Sequence, residues 1–255
     1  MNLKAKLSES HSGRPVFGVL LALLACMNTS VAQTNEGWTG QLTPYLWGAG
    51  AEGVLRPFAG APSLTVSKSF SDILGDLDAA FFATGLARKN QFVLLGDISH
   101  SSTSSDGSIP PGLPAEGDFT QSSVTVAAGQ RVVANDDLTV DLLGGVRWWH
   151  VNGRASAPLV GLAASAKENF VDPILVGRVN LRLSSRWRLL AYGDFGGFDI
   201  GSKTTYQLAV TFNYGLGANT YLSGGYRYLF VDYEDSGTKF EGSVSGPIFG
   251  YTWRF

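Results

Sequence analysis

Cysteine is almost missing from this chain of 255 residues, which contains only Cys26. A disulfide framework is therefore excluded. Charged residues are also scarce, at 16% of the chain, against roughly 25% in soluble domains. The 19 basic and 21 acidic residues nearly balance, and no basic segment indicates a nucleic-acid partner.

Long apolar runs are missing after residue 32. No stretch there has the eighteen or more consecutive apolar residues of a transmembrane helix. Histidine and cysteine do not cluster with the spacing of a transition-metal site. We therefore predict no membrane-spanning helix, no metal site and no cofactor.

The first 32 residues have the pattern of a secretory signal. An apolar stretch at 16–25 follows three basic residues, and Ser30 and Ala32 suit a signal peptidase. We expect export through the secretory pathway, cleavage after Ala32 and a mature domain of residues 33–255. A lipid on Cys26 stays open as an alternative, because "LLAC" partly fits a lipoprotein box.

Apolar and polar residues alternate in segments of about ten residues, most clearly at 170–184 and 204–214. A period of two indicates β-strands with one apolar face. The pattern predicts ten strands, at 41–50, 79–88, 92–100, 121–132, 138–148, 170–184, 186–195, 204–214, 220–232 and 239–255.

The connections between these strands differ in length. Tight turns, as at 88–91 and 134–137, alternate with long loops predicted at 51–78, 101–119 and 152–168. This alternation is typical of barrels in the outer membrane of Gram-negative bacteria. We predict an all-β, closed antiparallel transmembrane barrel of about ten strands, with eight or twelve as alternatives. A secreted β-sandwich or lipocalin-like barrel is disfavoured, because arginines alternate with large aromatic residues near the strand ends.

The chain ends in a ladder of aromatic residues, Phe249, Tyr251, Trp253 and Phe255. We expect this ladder to face lipid and to serve as the signal for the barrel-assembly machinery. The expected partners are that machinery, periplasmic chaperones, outer-membrane lipid and lipopolysaccharide.

One long loop is expected to contain a helix at 69–78. Ser69 and Asp72 have the spacing of a capping box. The apolar residues that follow recur at helical intervals.

Charged residues of both signs lie on the face of the strands predicted to point inward. In a narrow barrel they would form an ion-pair network that closes the interior. The alternative is a polar, weakly anion-preferring pore. The predicted interior-lining residues are Arg147, Arg178, Arg182, Arg188, Arg227, Asp141, Asp172 and Asp194.

Five segments, "LTPYLWGAGAEG", "SFSDILGDLDAAF", "VDPILVGR", "GDFGGFDIGS" and "GGYRYLFVDYED", occur in this order. Together they resemble a family of uncharacterised proteobacterial outer-membrane β-barrel proteins. The resemblance covers nearly the whole mature chain. It implies a single barrel in the outer membrane, and it implies no reaction and no functional residues.

Two histidines, His100 and His150, end strands near the predicted outer rim. His100 and Ser102 form a His-x-Ser pair that resembles the lipid A deacylases, and a rim histidine with carboxylates is similar to the omptin proteases. The surrounding motifs of neither family are present, so these residues are weak catalytic candidates. The favoured role is a small, porin-like passive pore or a structural surface component. An outer-rim hydrolase and a loop-mediated binding or adhesion module are the alternatives.

Overall fold

The computed structural model describes residues 37–56, 60, 64–109 and 113–255. The predicted signal segment and the lipidation alternative at Cys26 lie outside the described residues. Within the described ranges, no helix is both long and apolar enough to cross a membrane.

Twelve strands and one α-helix make up this part of the chain. The helix, α1, spans Phe70–Gly75, and a single 3₁₀ turn spans Pro158–Val160. The strands are β1 (Thr39–Trp47), β2 (Gly50–Arg56), β3 (Leu64–Lys68), β4 (Leu77–Lys89), β5 (Phe92–Ile109), β6 (Leu113–Ala134), β7 (Leu138–Ala157), β8 (Leu162–Arg182), β9 (Trp187–Gly197), β10 (Thr204–Gly215), β11 (Thr220–Asp235) and β12 (Thr238–Arg254).

The strands close into an antiparallel barrel. Each strand from β4 to β12 pairs with the next one along the chain, and β1 closes the ring between β12 and β4. Strands β1 and β2 lie end to end along β12, with β1 on its final residues and β2 on 239–245. The barrel therefore has ten strands around its ring and two further strands, β2 and β3, outside it. The predicted fold class and strand count are confirmed, and all ten predicted strands are present.

The predicted loops at 101–119 and 152–168 are wrong, because most of these residues are strand. Strands β5 to β8 continue to pair well beyond the predicted strand ends, up to Ile109, Leu113, Ala157 and Leu162. The remaining predicted loop, 51–78, contains β2, β3 and α1. Sequence alternation failed there because the outer parts of these strands carry hydroxyl and small side chains on both faces, which leaves no apolar period.

The alternation of the strands separates a lipid-like outside from a polar inside. The apolar side chains of Leu208 and Phe212 are exposed, whereas the polar Gln207 and Thr211 that precede them are buried. The terminal aromatic ladder follows the same rule. Phe249, Tyr251, Trp253 and Phe255 are all exposed, and Thr252 between them is buried.

A glycine permits close strand approach where the barrel curves. A Cβ added to Gly225 would lie 2.0 Å from the Val210 carbonyl oxygen on the neighbouring strand. A Cβ on the adjacent Gly224, which faces outward, would meet only the Phe249 ring at 3.9 Å.

Polar side chains form a row across the outer surface of β5 to β8. The row consists of His100, Ser122, His150 and Asn169, which are paired in register across the four strands. Directly below it, towards the chain termini, Ile98, Trp148 and Val171 are exposed apolar residues. We call the end with the termini the inner end and the opposite one the outer end. The row marks the outer limit of the lipid-facing band.

The wall beyond this row has unequal height. The outer twelve residues of β8, 162–173, pair only with β7, because β9 begins its pairing with β8 at Ile174. Strands β5 to β8 have 18 to 22 residues, against 11 and 12 for β9 and β10. A tilted strand of about ten residues spans a bilayer, so the β5–β8 side projects far outward and the β9–β10 side is low.

Helix α1 begins as predicted. The Ser69 hydroxyl accepts a hydrogen bond from the Asp72 amide, and the Asp72 carboxylate accepts one from the Ser69 amide at 2.9 Å. The Ser69 hydroxyl also donates to the Asp72 carboxylate at 2.7 Å, and this hydrogen bond together with the one from the Ser69 amide lowers the pKa of Asp72 below its ordinary value. The helix is shorter than the predicted 69–78, because Asp76 caps it and β4 begins at Leu77.

The outer wall is split beside this helix. In the described part of the chain, β3 pairs only with β2, and β5 beyond Thr103 pairs only with β6. A backbone hydrogen bond from the Ser104 amide to the Asp76 carbonyl, 2.9 Å long, lies at the foot of the split. We call this split, between β3 and the outer part of β5, the slit.

Candidate functional site

An arginine and an aspartate form a buried ion pair at mid-height in the barrel. Arg147 on β7 donates two hydrogen bonds to the Asp194 carboxylate on β9, at 3.1 and 2.5 Å. The Arg147 Nε donates to the Thr125 hydroxyl at 3.1 Å, and the Tyr192 hydroxyl donates to Asp194 at 2.6 Å. Both ionic side chains are at most 2% exposed. The guanidinium and carboxylate thus satisfy each other where water is excluded.

A second arginine lies beside this pair, because its partner Gln207 is opposite Asp194 in register. Arg227 donates to the Gln207 side chain at 2.7 Å, to Asp97 at 3.4 Å and to the Tyr45 hydroxyl. Its guanidinium also lies over the Trp47 ring, 4.5 Å from the centroid. The Arg227 side chain therefore connects four strands, β1, β5, β10 and β11.

A third cluster lies nearer the inner end. Asp141 accepts from Arg131 at 2.7 and 3.2 Å and from Arg178 at 3.1 Å. The Asp141 carboxylate is fully buried, and two arginines share its single negative charge.

Three more predicted interior residues have different surroundings. Asp172 is buried directly opposite Arg147 in register, where it accepts from the Trp149 indole at 2.8 Å and from the Ser202 amide at 2.6 Å. It thereby ties the β9–β10 turn to the wall. Arg188 is half-buried and donates to Asn180 at 3.3 Å. Arg182, the last residue of β8, is exposed at the inner end of the barrel.

The Arg147–Asp194 pair and the cluster around Arg227 lie between two cavities. The inner cavity has a volume of about 120 Å³, and its lining includes Asp97, Arg178 and Arg227. The outer one has a volume of about 350 Å³, and its lining includes Trp47 and Phe82. Among the described residues, none lines both cavities. The layer that separates them contains Arg227 and the rings of Tyr45 and Trp47.

The outer cavity, which we call the cup, is mostly apolar. Its floor and one side consist of apolar side chains from β1, β4 and β12, including Trp47, Phe82, Phe240 and Val244. Helix α1 adds Phe70, Ile73 and Leu74. The neighbouring strand β5 adds hydroxyl groups, those of Ser99, Ser101, Thr103 and Ser105.

The weak catalytic candidates lie on the outer surface rather than in a cavity. His100 Nδ1 contacts the Ser122 hydroxyl at 2.8 Å, and His150 Nδ1 contacts the Asn169 side chain at 2.8 Å. Ser102 instead lies 3.5 Å from both Asp78 and Thr120. Residues two apart on one strand are farther from each other than directly opposed residues on neighbouring strands. This geometry explains why His100 contacts Ser122 and not Ser102.

Several interior residues escaped the sequence analysis, namely Tyr45, Trp47, Thr125, Trp149, Tyr192, Thr205 and Gln207. They are uncharged, and only charged residues on the inward face were predicted to line the interior. A search of the same inward positions for any hydrogen-bonding side chain would have found them. In the ranges that the structure describes, no group of three or more His, Cys, Asp or Glu residues is placed to hold a metal ion.

No protein-family model matches the chain, and no curated protein matches it. Among solved structures, it is similar to the outer-membrane protease OmpT from Escherichia coli. The TM-score is 0.60 at 10% identity, over 89% of this chain and 100% of that one. Weaker likenesses include Ail, the attachment invasion locus protein of Yersinia pestis, with a TM-score of 0.39 at 12% identity over 86% and 99% of the two chains. The toluene transporter TodX of P. putida has a TM-score of 0.34 at 8% identity over 86% and 90%.

At 10% identity, the likeness to OmpT bears on the fold and not on the activity. The TM-scores of the other two are too low to support an argument. The chain has the fold of an outer-membrane β-barrel.

Proposed function

We propose that this protein is an integral outer-membrane barrel with a closed interior, which acts as a surface binding component and not as a passive pore. The fold, the exposed apolar band and the exposed terminal aromatic ladder support the membrane location. The proposal includes export with a cleaved signal and contact with lipid and lipopolysaccharide. It also includes assembly by the periplasmic and outer-membrane machinery.

The observation that carries the proposal is the buried layer between the two cavities. The Arg147–Asp194 pair lies in it, with both side chains at most 2% exposed. An ion that passed through would have to separate this pair or the cluster around Arg227. Separating a buried pair leaves uncompensated charges in a medium of low polarity, which costs several kcal/mol.

The position and lining of the cup support a binding role at the outer surface. It lies at the outer end, where long strands project beyond the lipid-facing band. Its lining supplies apolar surface with few polar groups, as ligand sites do.

A hydrolase is supported less well. A serine hydrolase needs a base beside its hydroxyl and a third group that orients the base. The His100–Ser122 contact provides the first two. It lies on the outward surface of β5 and β6, and not in a pocket that would hold a substrate.

Single-channel conductance in a planar bilayer tests the closed interior. The refolded mature protein should give no discrete current steps. The double variant Arg147→Ala/Asp194→Ala removes the central pair without changing net charge, and it should admit ions.

Arg182→Ala is the matched control, because Arg182 is exposed at the end of β8 and lines neither cavity. It should behave as the unaltered protein does. Discrete steps from the unaltered protein, with an anion preference that Arg178→Ala reduces, would overturn the proposal in favour of a pore.

A further inference from the structure

We propose that the cup binds a neutral, predominantly apolar small molecule with one or two hydrogen-bonding groups. This inference rests on the proposed role as a surface binding component, and it names the class of ligand.

The lining suits an apolar body. Trp47 and Phe82 meet edge to face at 5.9 Å, and Phe240 lines the cup farther out along β12. The volume of about 350 Å³ lies within the range of small-molecule sites. Apolar surface that stays open to water is unfavourable, and a ligand with an apolar body would bury it.

The hydroxyl groups of β5 supply the polar contacts. Ser99, Ser101, Thr103 and Ser105 are two residues apart, so all four point into the cup. Each hydroxyl both donates and accepts hydrogen bonds. A hydroxyl or carbonyl group on one side of an apolar ligand could therefore form a hydrogen bond with any of these four hydroxyl groups along the cup.

The charges around the cup do not favour an ion. The charged residues of the lining are two acidic and two basic, Glu52, Asp118, Lys68 and Arg154. Lys68 is already paired with Asp76 at 2.5 Å. A charged ligand would lose its hydration against the aromatic floor without a dedicated counter-ion, which is costly.

The openings of the cup fit the same ligand. The slit runs beside it, and the side chains of Phe70, Ile73 and Leu74 on α1 line the cup next to the foot of the slit. Phe70 and Leu74 are also exposed. An apolar path therefore connects the outer surface of the wall with the cup.

Equilibrium dialysis of 2-naphthol against the barrel in lipid nanodiscs tests the inference, with empty nanodiscs to subtract uptake into lipid. One saturable site per barrel is expected. The carboxylate 2-naphthoate has a similar shape and carries a charge at neutral pH. It should bind at least about tenfold more weakly, a difference of roughly 1.4 kcal/mol.

Two neighbouring positions on β6 give matched variants. Gln121 lines the cup, whereas Thr120 points to the opposite face. Gln121→Trp should fill the cup and abolish saturable binding, and Thr120→Trp should leave the affinity within about twofold. Heat-modifiable migration in gels checks that both variants fold.

Saturable binding that survives Gln121→Trp, or no saturable binding at all, would overturn the inference. Tighter binding of 2-naphthoate would refute the neutral class. The result of the conductance experiment does not depend on whether the cup binds a ligand. A conducting barrel that still binds 2-naphthol would overturn the closed interior and leave the site in the cup intact.

Discussion

The central ion pair should be costly to break and far less costly to remove. In Arg147→Met, the Asp194 carboxylate keeps its hydrogen bond from Tyr192 and loses both hydrogen bonds from the guanidinium. The Asp194 side chain is fully buried, so an uncompensated charge stays inside the barrel. Breaking a buried pair by removing one partner typically destabilises a protein by about 3–5 kcal/mol.

The double variant Arg147→Met/Asp194→Leu removes both charges and retains side-chain volume. Replacement of a whole buried pair by apolar residues is often neutral or stabilising. Thr125 and Tyr192 lose their partners in this variant, which costs about 1 kcal/mol for each hydrogen bond. We therefore expect the double variant to be about 1–3 kcal/mol more stable than Arg147→Met.

Reversible urea unfolding in lipid vesicles, followed by tryptophan emission, measures these free energies of unfolding. Arg182→Met serves as the control. Because Arg182 is exposed at the end of β8, the change should stay within about 0.5 kcal/mol. An Arg147→Met variant as stable as this control, or a double variant less stable than the single one, would refute the reasoning.

Two further predictions concern the wall and its outer turn. Gly225→Val should destabilise the barrel by about 1–3 kcal/mol, because its Cβ would lie 2.0 Å from the Val210 carbonyl oxygen. Gly224→Val, with open space outside, should change the same urea midpoint little. Lys203 and Arg56 contact Glu234 at 2.6 and 2.8 Å and lower its pKa. The β11–β12 turn should therefore lose stability as the pH falls through the Glu234 pKa, and Glu234→Gln should remove that dependence in amide exchange corrected for intrinsic rates.

The sequence was most informative where lipid imposes a strict pattern. Within the lipid-facing band every second residue must be apolar, and all ten strands of the ring were predicted from that alternation. Helix α1 was predicted because its cap is local, with Ser69 and Asp72 three residues apart. The strands β2 and β3 were missed because they lie beyond the band, where no apolar face is required.

The ion-pair partners could not be predicted in the same way. Arg147 and Asp194 are 47 residues apart, and Arg227 and Asp97 are 130 apart. Alternation places a side chain inside the barrel and does not say which other inward side chain lies at the same height. That depends on strand register and tilt, which are properties of the closed ring. The cup was missed for the same reason, since its lining comes from strands and a helix far apart along the chain.

The closed ring and the segment beside the slit differ in stability. Every strand of the ring is held on both sides, so none can leave without opening the closed barrel. Among the described residues, β3 pairs only with β2, and α1 buries none of its residues. Strands β2 and β3 and helix α1 can therefore open as one small unit at the cost of the seven β2–β12 residue pairs, while the ring stays intact, because local unfolding follows such weakly packed segments. The outer wall beside the cup thus has a free energy of opening of its own, smaller than that of the barrel.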